Sequence, residues 1–82
     1  MAGSADLRAA FNSISAHRFI CSLATLHYEQ IGGQEWQIIT FHGMSDKEEP
    51  FEVNSGAEIR AGDDLNTHAK RIAQRMLDQG KT

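Results

Sequence analysis

Apolar residues recur at helical spacing near both ends of the chain and at strand spacing between them. Leu7, Ala10, Phe11 and Ile14 fall at i, i+3, i+4 and i+7 and predict a short helix over residues 4–15. Ser4 stands where an N-cap belongs, and Asp6 in the first turn suits the positive end of the helix dipole. Leu65, Ala69, Ile72 and Met76 trace a second helical stripe, with Asp63 or Asp64 as its cap and Gly80 in the position of a C′ glycine.

Residues 19–43 alternate instead. Gly32 and Gly33 supply two adjacent positions free to take positive φ, as a two-residue hairpin turn requires. With that turn as the pivot, Ile31 faces Gln34, Tyr28 faces Gln37, Leu26 faces Ile39 and Ala24 faces Phe41. One face of the ribbon then holds Ile20, Ala24, Leu26, Tyr28, Ile39 and Phe41, the expected core face. The other holds Cys21, Leu23, Thr25, His27, Glu29 and Ile31 against Trp36, Ile38, Thr40 and His42. A different reading continues the first helix through residues 19–30 and ends it at Gly32, using Phe19, Leu23 and Leu26 as its stripe.

Met44 to Pro50 reads as a polar connection, residues 51–54 as a short third strand ending at Ser55-Gly56, and residues 57–62 as a loop. The expected order is α-β-β-β-α in one domain over residues 1–82. That is an α+β fold: a three-stranded antiparallel sheet with both helices on its core face.

Composition narrows the classes. The chain has 82 residues, 40% hydrophobic and 23% charged, which fits a folded domain rather than a disordered or fibrous segment. No apolar run is long enough to span a bilayer, and the first residues show no basic-then-apolar leader, so a cytoplasmic protein without membrane association is expected. One cysteine, Cys21, excludes an internal disulfide. Charge is uneven. Residues 1–28 carry a net +1, residues 29–64 a net −7 and residues 65–82 a net +3.

Candidate chemistry is sparse. In the hairpin register Cys21 and His42 come close on the outer face, a thiol beside an imidazole, but nothing orients the ring and no glycine-rich turn offers an oxyanion site. His17, His27, His42 and His68 lack the local spacing of a zinc site, and His17 and Cys21 would converge only on a helix. Glu48-Glu49 reads as a solvated charge run. No phosphate-cradling glycine motif and no nucleophile elbow occurs. The expectation is a protein that is not an enzyme and uses neither cofactor nor metal.

His68, Arg71 and Arg75 share one flank of the last helix, with Lys70 on the other. With the order α-β-β-β-α and the run Ala69-Lys70…Ala73…Met76-Leu77, the chain resembles the double-stranded-RNA-binding domain over its topology and about ten residues. The resemblance implies duplex binding by the last helix. This chain has Asp63-Asp64-Leu65-Asn66-Thr67 where that family gathers lysines to meet phosphates.

The outer hairpin face weighs more. Leu23, His27, Ile31, Trp36, Ile38 and His42 project from it, where a solvent-facing sheet normally turns polar. Residues 19–28 carry only neutral side chains, and an uncharged edge strand invites another chain. The expectation is a small regulatory, inhibitory or adaptor protein that docks on a protein partner or on itself through these six residues. Nucleic-acid binding through His68, Lys70, Arg71 and Arg75 is the alternative.

Overall fold

The structure is a computed structural model that describes residues 4–15 and 18–80, with the Ser4 side chain outside that description. The chain runs α1 (Ser4–Ser15), β1 (Phe19–Ile31), β2 (Gln34–Ser45), β3 (Pro50–Asn54), β4 (Ile59–Arg60) and α2 (Leu65–Gly80). It is an α+β fold with the expected order, extended by one very short strand. Residues 19–30 are strand, not a continuation of the helix.

The two-glycine turn sets the hairpin as its sequence requires. Gly32 and Gly33 have φ of 62° and 78°, and the register pairs Ile31 with Gln34, Tyr28 with Gln37, Leu26 with Ile39 and Ala24 with Phe41. β2 lies at the centre, bonded to β1 on one side and to β3 and β4 on the other. β1 is therefore an edge strand.

Between Cys21 and Leu23 the register shifts, with Ser22 as the extra residue. A bulge of this kind exchanges the faces of everything beyond it. Cys21, expected outside, is buried in the core, and Ile20, expected in the core, is exposed. Gly43, opposite Cys21, makes room for the bulge: a side chain there would overlap the Ile20 carbonyl and the Phe51 ring.

The core gathers side chains from both helices and one sheet face. Leu7, Ala10 and Phe11 of α1 and Ala69, Ile72 and Ala73 of α2 meet Cys21, Ala24, Ile39, Phe41 and Ile59. Phe11 stacks on Phe41 at 4.6 Å and on Phe51 at 5.9 Å, and Phe19 meets Phe51 edge-on. Fully burying one such side chain stabilises the fold by about 1.5–3 kcal/mol.

Three further expectations change. Residues 57–62 are not all loop: Ile59-Arg60 pairs with Trp36-Gln37, and Ile59 is completely buried. Met44 and Ser45 belong to β2 and Pro50 to β3, so the polar connection is shorter than expected. Tyr28, expected in the core, is 58% exposed. The reason is length. Twelve helical residues span about 18 Å, whereas thirteen strand residues span about 43 Å, so the hairpin overhangs α1.

Candidate docking face and edge

The outer face is built by alternation along β1 and β2, away from the buried set. Leu23 and Ile31 are exposed, and Ile20 and Met44, opposite one another in the register, join them. These two were missed in the sequence because the bulge reverses Ile20 and because Met44 was read as part of the polar connection to β3. Trp36 is half-buried, with the Arg60 guanidinium 5.7 Å from its ring centroid, a cation–π arrangement. Its indole N–H is enclosed and has no hydrogen-bond partner. Ile38, expected as an exposed docking residue, is instead 9% exposed, so it supports the face rather than presenting to a partner. His27 is exposed, with Nε2 3.2 Å from Glu29 Oε2, and His42 is half-buried, with Nδ1 3.6 Å from Glu52 Oε1. The six residues singled out in the sequence share one face, but only Leu23, His27 and Ile31 lie open on it.

The edge beside this face has a definite polarity. A two-residue turn makes Ile31–Gln34 a hydrogen-bonded pair, and bonding alternates along the ladder from there. Leu23, Thr25, His27, Glu29 and Ile31 thus bond to β2, and Ala24, Leu26, Tyr28 and Gln30 point their backbone groups outward. The far side of β2 confirms this parity. Ile39 N–H donates to Ser55 Oγ at 3.1 Å, and the Ile39 carbonyl accepts from Ser55 N–H at 2.9 Å, so odd-numbered residues of β2 bond away from β1. At the other end of β1 the edge is filled. Asn12 accepts from Cys21 N–H at 2.8 Å and donates to the Cys21 carbonyl at 3.2 Å.

Cys21 and His42 do not form a pair. The bulge puts the thiol in the core, where it donates to the Leu23 carbonyl at 3.2 Å, while His42 faces Glu52 on the opposite side. Burial pushes the Cys21 thiol up, away from thiolate reactivity. His17 lies outside the described residues, and among the described residues no three of His, Cys, Asp and Glu converge as a metal site needs.

The basic flank of α2 is tied to carboxylates of the preceding loop. Arg71 Nη1 and Arg75 Nη2 both reach Glu58 Oε1, at 2.9 and 3.1 Å. The hydrogen bond from Arg75, aided by the charges of Arg75 and Arg71, holds the Glu58 carboxyl below the usual carboxylate range. His68 accepts from Arg71 at Nδ1 and lies 3.6 Å from Asp63 at Nε2. Lys70 is exposed and lines a shallow hollow between the helices with Asp6, Ala9, Ala10, Ser13 and Asn66. Asp64 caps α2: its carboxylate accepts from the Thr67 hydroxyl and from Asn66 N–H, and these two bonds lower its pKa.

Among the described residues no helix is long and apolar enough to cross a membrane. Comparison with protein families, curated proteins and solved structures finds no match to this chain.

Proposed function

We propose that the chain is a non-enzymatic protein-interaction module, a small regulatory, inhibitory or adaptor protein that docks through the outer face and free edge of its hairpin. One observation carries the reading. Ile20, Leu23, Ile31 and Met44 stand roughly half-exposed on one sheet face, beside an edge strand that is exposed from His27 to Ile31. Side-chain burial supplies the affinity, and an extended segment of the partner supplies the missing strand. The net negative charge of residues 29–64 favours a partner with a basic surface and speeds its approach. The same reading has the protein cytoplasmic, with Cys21 kept as a free buried thiol.

Nucleic-acid binding through His68, Lys70, Arg71 and Arg75 has less support, because Glu58 and Asp63 already face three of those four side chains.

The test is a Leu23→Ser, Ile31→Ser variant, both sites being exposed. Wild-type protein should retain a partner that, once purified, slows amide exchange over residues 20–31, and the variant should lose it while its circular dichroism is unchanged. Equal retention by the variant, or protection confined to α2, would end the proposal.

A further inference from the structure

The exposed run of β1, from His27 to Ile31, is centred on Glu29. With histidine neutral, Glu29 and Glu35 are the only charged residues from Phe19 to Ser45, and both lie close to the Gly32-Gly33 turn. Tyr28 and Gln30, on either side of Glu29, point their backbone groups outward, and both are exposed. We infer that the occupant of this edge is an extended segment of a different protein, with a lysine or arginine opposite Glu29 and an apolar residue two positions before that base. This inference rests on the docking reading above and specifies its partner.

In an antiparallel pairing Tyr28 and Gln30 each exchange two hydrogen bonds with the residue they face, about four in all. Glu29 faces the partner across a pair without hydrogen bonds, where the Cα atoms stand about 4.5 Å apart and side chains come closest. An opposite charge is favoured there and a like charge is not. The Glu29 side chain is half-exposed, with Oε2 3.2 Å from His27 Nε2. The residue two positions before the base falls opposite Ile31 on the outer face, which is 46% exposed. The residue after the base falls opposite Tyr28 on the helix side, 58% exposed, where a β-branched side chain packs on the ring.

A second copy of the chain does not meet these terms. Pairing β1 with β1 about the centre of the exposed run sets Glu29 against Glu29, two like charges at the closest approach. An axis at Tyr28 drives the turn at Gly32 against Ala24, which is 1% exposed, so the edge is already covered there. An axis at Gln30 leaves Glu29 against Ile31 and Tyr28 against Gly32, past the end of the other strand. A charge on an exposed edge discourages pairing with its own kind. The same carboxylate favours a base, so Glu29 sets both the exclusion and the choice.

The probe is a capped peptide, Val-Thr-Lys-Val-Thr, and its control carries glutamate in place of the lysine. Each is titrated to about 10 mM, past the millimolar range expected for so short a segment. The lysine peptide should shift the Tyr28 and Gln30 amide resonances and slow their exchange. It should bind about five-fold more tightly than the control, the worth of one cross-strand charge pair. Glu29→Lys should reverse that preference, with circular dichroism checking that the fold is kept. Glu29→Gln should abolish it, and serves if the lysine variant does not fold. Sedimentation velocity of the native chain should give the mass of one chain up to about 1 mM. Equal binding of the two peptides, binding of neither, or a preference that survives Glu29→Gln would overturn the inference, as would a two-chain mass. A captured protein whose retention depends on Leu23 and Ile31 but not on Glu29 overturns the basic segment and leaves the docking reading standing. Retention indifferent to all three residues overturns both.

Discussion

Along one side of the sheet the backbone is closed off piece by piece. β3 has five residues and begins with Pro50, β4 has two, and Ser55 bridges the gap by engaging both backbone groups of Ile39. Along the other side β1 runs for thirteen residues; Asn12 takes up the outward groups of Cys21 and Ala24 is buried, while His27 to Ile31 are exposed. Both edges belong to one small sheet under the same solvent, so size or composition does not explain the contrast. Short strands, proline and a buried serine are the devices that keep an edge from pairing, and they are concentrated on the β3–β4 side. The difference separates the two sides: one is closed by the fold itself, and the proposed docking uses the exposed part of the other.

This contrast can be broken from the closed side. The largest effect is expected at Gly43, where the bulge of β1 and the Phe51 ring press on the backbone of β2. Gly43→Ala forces the Ile20 carbonyl or the strand itself to move and should cost about 3 kcal/mol in urea unfolding. Ser55→Ala strips the partner from a buried Ile39 N–H and should cost about 2 kcal/mol, with faster amide exchange at Ile39 itself. Asn12→Ala sharpens the comparison from the other direction. It should cost about 1 kcal/mol, with faster amide exchange at Cys21, whose N–H it leaves without its side-chain acceptor.

The pH dependence is the smallest effect, and its two limbs have opposite signs. Glu58 is held below its ordinary range by Arg75 and then Arg71, so the folded state binds its proton less readily than the unfolded chain. Its contribution is complete above the unfolded carboxyl value, about 4.3, and is lost as pH falls through the lower folded value. Glu58→Gln should flatten the acid limb of Tm against pH. Cys21 is raised by burial, so its effect is absent below the ordinary thiol value, about 8.5, and stability then declines as pH rises toward the folded value. Cys21→Ala should remove that alkaline decline.

Much of this was legible in the residues. Helix α1 shows in Leu7, Ala10, Phe11 and Ile14, and the hairpin register in Gly32-Gly33, because periodicity and turn chemistry are local properties. The bulge was not, since Ile20, Cys21 and Leu23 are apolar on both alternations and either phase yields a plausible core. Gly43 was the available signal, a glycine inside a strand marking a close backbone approach. β4 escaped because two residues show no period, although Ile59 was the lone large apolar residue between Ser55 and Asp64. The exposure of Tyr28 followed from arithmetic on element lengths that periodicity does not contain. Of the residues expected on the outer face, Leu23, His27 and Ile31 are exposed. The burial of Ile38 depends on neighbours brought together only by the tertiary fold.

The overhang of the hairpin has an engineering consequence. The ribbon beyond the reach of α1 holds none of the buried core, and its reversal at Gly32-Gly33 is fully open to solvent. Residues can be added there in cross-strand pairs, or a short guest peptide grafted between the two glycines, with the helices and the aromatic stack left as they are. The tip is a natural handle for attaching a reporter dye or a surface tether.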